Sequence, residues 1–465
     1  MGLTITNTNT LQLLNILNRT SSEQSLSLER LTTGKRINRG SDDPAGLIAL
    51  QNLGAELTAV DAALGNGQRA NSLLGVADGA FNEVNSLLSQ IESLAAQSTN
   101  SSGISAAELA ANQAQIDQAI NSIDRIVNNT TFNGLKLLDG QQSVRYTLDS
   151  TANTDVSDVR LYSRRSNSSS DTLTLNVTTA AQVASATIAN TASVSAASIS
   201  IAGKNGTTTI TIGDGEALTS VRDKIIAAAG ETGVSARVSG NVLVGVTRDY
   251  GTAAFLTVSR LSGDSDFQNV SYTKGADAVV TVNGASVTGD GLQISFNSNG
   301  VSGEFTLTST GNAAGSAGVI TVSGGGATFQ LGTGSNTQVT AGLESLASHK
   351  LGDTATGYLN QLKSGGANSL SSSATNALSI ARKAISQVAT AQGRLGGFQK
   401  YVVQSTMNSL NATKKSLEEA RSAIGDVDFA VESANLNRQN VLLQSAIGLL
   451  GLAGQQTSQI LSLLR

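Results

Sequence analysis

The sequence predicts an α + β multidomain chain: a long coiled-coil-like helical rod built from both chain ends, with a β-rich central insertion. Three observations carry that prediction. Between Leu73 and Leu94 the apolar residues Leu73, Ala77, Ala80, Val84, Leu87, Ile91 and Leu94 alternate spacings of four and three, the seam of a coiled coil. A second seam runs near the other end through Leu378, Ala381, Ile385, Val388, Ala391, Leu395, Phe398 and Val402. Between the two, residues 198 to about 330 are rich in Gly, Thr, Ser and Val and divide into short alternating runs.

Taken in order, residues 1–29 set Leu11, Leu14, Leu17, Leu26 and Leu28 among Thr, Asn and Ser, and predict an amphipathic helix poor in charge. A basic linker follows, in which Gly34 and Gly40 break the helix and Asp43 is placed to cap the next one, with Pro44 at its first position. That helix is expected from Pro44 to about Ser98, roughly 80 Å long at ~1.5 Å per residue. Leu50, Leu53, Leu57, Val60 and Leu64 carry its first half. The seam loses phase at Gly65-Asn66-Gly67, where a bend or offset is expected. Leu109, Ile116, Ile120, Ile123 and Val127 mark another helix after the breaker 100–103.

Beyond Val127, residues 128–134 are turn chemistry, and strand patterns begin. Leu173, Leu175 and Val177 alternate in one run; further strands are expected at 198–202, 207–212, 234–238, 242–246, 255–258, 279–282, 292–296, 305–308 and 319–322. One helix interrupts them, with Leu218, Val221, Ile225 and Ile226 on one face. A helix from about 371 to 421 and a last one running to Arg465 flank the turn Ile424-Gly425-Asp426. The expected domains are therefore terminal helices at 1–43 and 430–465, a rod with a β-hairpin region at 44–178 and 366–429, and a β-rich outer insertion at 179–365.

Composition narrows the function. Net charge is −4, from 30 basic and 34 acidic residues with no extended basic run, which argues against nucleic acid and anionic membrane as partners. Aromatics are 3% and Trp is absent, so the interior is filled by Leu, Ile, Val and Ala, as suits long helices and plain sheets. Zero Cys removes disulfides, thiolate metal sites and cysteine catalysis, and suits a chain that travels unfolded during export. The first charged residue is Arg19, so a basic secretory leader is not expected and export takes another route. The most apolar stretch, 441–464, is interrupted by Gln444, Ser445, Gln455, Gln456, Ser458 and Gln459, and no membrane insertion is expected.

Catalytic patterns are wanting. The single His, His349, is followed by Lys350 and cannot form the His-Glu-x-x-His of a zinc protease. Gly203-Lys204 precedes Asn205 and so lacks the last residue of a phosphate-binding loop. Asp264-Ser265-Asp266 reads as a solvated turn rather than a calcium site, and no nucleophile elbow surrounds any Ser. No catalytic residue, cofactor or metal is expected. What stands out is surplus apolar surface: a lone terminal helix cannot cover its own apolar face, so residues 1–40 and 430–465 are expected to order when neighbours supply the missing side. The expected subunit interface holds Leu11, Leu14, Leu17, Val441, Leu442, Ile447, Leu450, Ile460 and Leu464. The expected rod seam holds Leu73, Val84, Leu87, Ile91 and Leu94.

Several separate motifs then share one resemblance. Residues 30–38, Arg-Leu-Thr-Thr-Gly-Lys-Arg-Ile-Asn, with Asp42-Asp43-Pro44-Ala45-Gly46, resemble the N-terminal signature of bacterial flagellins. So do Phe81-Asn82-Glu83-Val84, Ile123-Asp124-Arg125 and the run 131–138. Residues 420–430 and the terminus Ile460-Leu461-Ser462-Leu463-Leu464-Arg465 resemble the C-terminal pattern of the same family. Within the insertion, Asp214-Gly215-Glu216-Ala217-Leu218 through Ala236 resembles a repeat found in flagellin and hook-associated insertions. The resemblance implies a self-polymerising filament subunit whose outermost helices line an inner tube. The next helices form an outer tube, and Arg30, Gly34, Arg36, Asn38, Asp42 and Asp43 belong to the connector between them. It also implies type III export with an uncleaved signal, an export chaperone on the C-terminal region, and junction and cap proteins as partners. Innate-receptor binding is not carried over, because Gln90 and Gln115 stand where the family pattern needs a basic residue and an acidic partner around Leu94. A hook–filament junction protein and a secreted glycan-binding adhesin are the competing readings.

Overall fold

Long helices occupy both ends of the chain and strands its middle in a computed structural model, which describes residues 8–463 except 101–102, 165–169, 191–192 and 264. The candidate calcium turn at Asp264 thus falls partly outside the described residues. The chain divides into two units, one of Met1–Gly65 and Thr406–Arg465, the other of Asn66–Ser405. The longer helices are α1 (Thr8–Thr33), α2 (Pro44–Ser98), α3 (Ala106–Asn129), α4 (Leu218–Ala227), α5 (Leu370–Phe398), α6 (Ser405–Gly425) and α7 (Phe429–Leu463). Helix α2 has the expected bounds and is not interrupted at Gly65-Asn66-Gly67. By length and composition α2 also qualifies as a membrane span. Yet Glu56, Asp61, Arg69, Asp78, Glu83 and Glu92 leave it no uncharged run long enough to cross one.

In the first unit α1 packs antiparallel on α7, as the pairs Gln24–Asn440 and Arg30–Glu432 show. Asp43 caps α2 as expected, its Oδ1 accepting from the Gly46 amide at 2.8 Å. Asp428 does the same for α7, accepting from the amides of Ala430 and Val431. Leu57, Val60, Ala63 and Leu64 are buried along the first half of α2, where Asp61 pairs with Lys414 of α6 at 2.8 Å.

In the second unit the buried stripe of α2 runs through Ala70, Leu74, Ala77, Phe81, Val84, Leu88, Ile91 and Ala95. This corrects the expected seam. Leu73, Val84 and Ile91 are buried as anticipated, but Leu87 and Leu94 are only half-buried, and Leu88 and Ala95 take the core positions. Two stripes share Ala77, Val84 and Ile91. The one that also buries Phe81, the largest side chain on the helix, removes more apolar area from water and is the one adopted. Facing residues come from α3 (Ile116, Ile120, Ile123, Val127) and α5 (Ala377, Ile380, Ala381, Ala384, Val388). Gln392 of α5 joins the two long helices, accepting from Asn85 and donating to Asp78 and Asn82.

The helix expected from about 371 to 421 takes the form of α5 and α6 joined by a π-helical segment, Gln399–Gln404. The wider turn lets buried positions step by eight, from Leu395 to Val403, where a regular helix steps by seven.

The middle of the chain folds into antiparallel sheets around two apolar clusters. In one, a five-stranded sheet runs in the order Ala285–Thr288, Val279–Val282, Asp171–Thr179, Gly315–Gly325, Val144–Leu148. It shares its core with the sheet Gln293–Ser298, Val301–Leu307, Val156–Ser163. In the other, Ile199, Ile201, Leu243, Leu256 and Val258 from two sheets close over Leu218, Val221 and Ile225 of α4. The first cluster recruits strands from residue 144 onward together with strands of the insertion beyond 179. The signal there is weak because Arg145, Asp158 and Arg160 interrupt the apolar pattern. Hairpins turn at Asn133-Gly134, Asn283-Gly284 and Asn299-Gly300, where both residues have positive φ, as a two-residue type I′ turn requires.

Candidate assembly surface

The α1–α7 pair carries the surplus apolar surface, and its most enclosed positions are not leucines. The residues enclosed between the two helices are polar or small: Thr20 and Ser27 on α1, and Glu432, Gln439 and Ala446 on α7. Each set repeats every seven residues, and half-buried Leu13, Leu17 and Leu31 on α1 and Leu436, Leu443 and Leu450 on α7 alternate with it, so the heptad seam mixes enclosed polar or small residues with partly covered leucines. Further apolar side chains lie outside it. Leu11 is 51% exposed, Val441 62%, Leu442 50% and Ile447 55%, and Leu14, Ile16, Leu449 and Leu452 are exposed beside them. Leu17 and Leu450 are half-buried at the seam margins. Ile460 lies in the last turns of α7, but its side chain, like all of Leu464, is outside the described residues.

The seam is imperfectly satisfied. Arg30 Nη1 stands 4.0 Å from Glu432 Oε1, while Arg30 Nε and Gln439 Oε1 are enclosed without a hydrogen-bond partner. Enclosed polar atoms of this kind cost free energy rather than supply it.

The linker after α1 is tightly built. Gly34 adopts φ +71°, and its carbonyl accepts from the Val427 amide at 3.0 Å. Lys35 forms a β-bridge with Asp426, and the Arg36 amide donates to the Gly425 carbonyl at 2.7 Å. The Arg36 guanidinium reaches the Ile424 carbonyl and lies 3.5 Å from Asp43 Oδ2. Asp42 closes the loop from inside, one carboxylate oxygen accepting from the amides of Asn38 and Arg39. Those two amides hold the Asp42 carboxyl below its usual range. Ile37 is the loop's one anchor, 4% exposed.

The six expected linker residues therefore share one structure: Arg30 ends α1, and the other five shape the loop. Sequence reasoning did not find its docking partner, the turn at 424–427, or the polar heptad of Glu432, Gln439 and Ala446. The seven-residue spacing was the available signal, hidden because two of those residues are not apolar.

Comparison with known proteins adds a family to this geometry. Residues 5–143 match the bacterial flagellin N-terminal helical region, and residues 378–464 match the bacterial flagellin C-terminal helical region. Among curated relatives, a flagellin of Salmonella typhimurium is 30% identical over 502 residues, covering 99% of each chain. A flagellin of Clostridium tyrobutyricum is 28% identical over 441 residues, covering 95% of this chain and 96% of its own. Among solved structures, FliC from Burkholderia pseudomallei is 14% identical with a TM-score of 0.25, covering 72% of this chain and 99% of that one.

Proposed function

The chain belongs to the bacterial flagellin family and is a structural subunit of the flagellar filament; from that premise we propose that copies join through the outward apolar faces of α1 and α7. One observation supports this reading above the rest. Leu11, Leu14, Val441, Leu442 and Ile447 are exposed, outside the seam of their own helix pair, whose most enclosed positions are polar or small. Apolar area of that extent in water favours association, and a second copy carries the complementary helices.

The proposed division of labour follows the expected domains. Residues 1–43 and 430–465 form the inner core of the polymer, and 44–178 with 366–429 the surrounding helical layer. The β-rich insertion, 179–365, projects outward. The docked linker of Gly34, Arg36, Asn38, Asp42 and Asp43 fixes the passage from α1 to α2. Export through the flagellar type III apparatus, a chaperone on the C-terminal region, and contact with hook-associated junction and cap proteins complete the reading by family membership, and place the assembled protein outside the cell. The junction-protein and adhesin readings are not favoured, since relatives matched along nearly their whole length are flagellins.

The test is removal of 441–465. After salt-induced assembly, negative-stain microscopy is expected to show filaments from the full chain and none from the truncated one. Tyrosine near-ultraviolet dichroism should remain unchanged, because all six tyrosines lie in the unit Asn66–Ser405. Normal filaments from the truncated chain would refute the proposed role of the tail.

A further inference from the structure

Glu344 follows the strand Gln338–Ala341 and lies between a cavity of about 830 Å³ on one side and one of about 740 Å³ on the other. Its Oε2 faces Arg160 Nη1 at 3.9 Å, whereas its Oε1 is enclosed and has no hydrogen-bond partner. The same Arg160 nitrogen stands 4.0 Å from Glu304 Oε1. Glu304 also has a second guanidinium, Arg394 Nη2 of α5, at 3.4 Å. That guanidinium lies 3.5 Å from the centre of the Tyr162 ring. Two carboxylates thus share two guanidiniums unequally: Glu304 engages both, and Glu344 has part of one.

The surrounding charges do not correct the imbalance. From the strand Val156–Ser163 come Arg160, Tyr162 and Asp158, the last engaged by Tyr358 and Thr354. From α5 come Arg394 and Lys383, the latter paired with Asp353 at 3.1 Å. Arg145, His349 and Lys350 line the 740 Å³ cavity, Asp139 lies with them, and Arg164 lines the larger one. None of these donates to Glu344 Oε1.

We propose that Glu344 is a proton-operated latch between α5 and the strand pair Val156–Ser163/Val301–Leu307. Neutral, it leaves Arg160 and Arg394 together on Glu304, which holds α5 to the strands. Ionised, it competes for Arg160, repels Glu304 and loosens that attachment. Burial pushes the Glu344 carboxyl up to about 7, and the charge of Glu304 adds to this, while Arg160, Arg394 and the Tyr162 hydroxyl oppose it. The folded value lies above the unfolded one, so the stability it confers is complete below the ordinary glutamate range and is lost as pH rises through about 7.

The experiment follows thermal unfolding of the full-length monomer by tyrosine near-ultraviolet dichroism, which reports the unit Asn66–Ser405. Between pH 5.5 and 8.5 the wild-type midpoint is expected to fall by on the order of 4 °C. Glu344→Gln, which imitates the neutral form, should show a flat profile at the higher level. Histidine titrates in the same window, so His349→Gln is the control and should retain the wild-type slope. A flat wild-type profile, a slope surviving in Glu344→Gln, or a slope abolished by His349→Gln would each overturn the proposal. Should Glu344→Gln fail to fold, carboxyl-carbon NMR titration of the wild-type chain decides: a Glu344 midpoint in the ordinary glutamate range overturns it, and one near neutrality sustains it.

Discussion

Arg36 donates from Nε at 3.1 Å and from Nη2 at 2.7 Å to the carbonyl oxygen of Ile424, a residue 388 positions away in sequence. A helix-terminal carbonyl lacks its own intrahelical donor, and a cation beside the negative end of α6 is favourably placed. Replacing Arg36 by Ala is expected to cost about 1 kcal/mol locally, since the side chain is near half exposed. Amide exchange of Val427, whose N–H donates to Gly34, should accelerate about five-fold. Arg36→Lys should recover only part of this, because an ammonium cannot supply two donors in one plane. Unchanged exchange at Val427 in Arg36→Ala would show that the backbone bridge holds the linker unaided.

The loop around Asp42 is expected to open in acid. Backbone donation from Arg39 and Asn38 lowers the carboxyl, so its contribution is present above the unfolded value of 3.8 and is lost as pH falls through the lower folded value. The amides of Asn38 and Arg39 should lose protection over that interval. Asp42→Asn should show the same loss already at neutral pH. Equal protection in the variant and the parent would exclude the carboxylate as the loop's clasp.

Leu87 and Leu88 separate the two possible stripes of α2. Leu88 is fully enclosed and Leu87 only half-buried. Leu88→Ala is expected to destabilise the unit Asn66–Ser405 by about 2–5 kcal/mol, and Leu87→Ala by roughly 1 kcal/mol. Urea unfolding read through the tyrosines distinguishes them. A larger loss from Leu87 than from Leu88 would restore the seam read from spacing alone.

Two glycines near the start of α2 should respond oppositely to alanine. A Cβ at Gly46 would stand 2.6 Å from Ile37 Cδ1 and collide with the Asp43 carboxylate that caps the helix. A Cβ at Gly54 meets nothing within 4 Å. Gly54→Ala is expected to stabilise the helix by about 0.5–1 kcal/mol, and Gly46→Ala to destabilise it by ~1–3 kcal/mol. Helicity lost on heating, followed at 222 nm in the monomer, gives the sign of each change.

Helices whose apolar residues repeat were legible almost to their ends: Pro44–Ser98 has the anticipated bounds. Strands such as Val279–Val282 were equally plain, being short alternations set off by Asn-Gly turns. Legibility failed where polar residues hold core positions. Arg160 interrupts the apolar pattern of the strand Val156–Ser163, which was not among the expected strands, although Glu304 and Glu344 accommodate its charge. Glu432 and Gln439 hid the inner face of α7 in the same way. The choice between neighbouring leucines on α2 was beyond spacing, because both stripes share Ala77, Val84 and Ile91 and burial of Phe81 favours one of them. Of the candidate interface, the apolar residues were readable one by one. That they turn away from their own partner helix needed the third dimension.

The lining between α1 and α7, half-covered leucines among alcohol, amide and carboxylate groups, has a calorimetric corollary. Separating those helices exposes leucines already partly in water, so the event carries a smaller heat capacity increment and a shallower denaturant dependence than opening the fully enclosed sheet cores. Scanning calorimetry and urea titration of single copies will register the melting of the sheets and pass over the parting of the two ends. An observer using only those methods would assign the tails a sturdiness that belongs to the rest of the molecule.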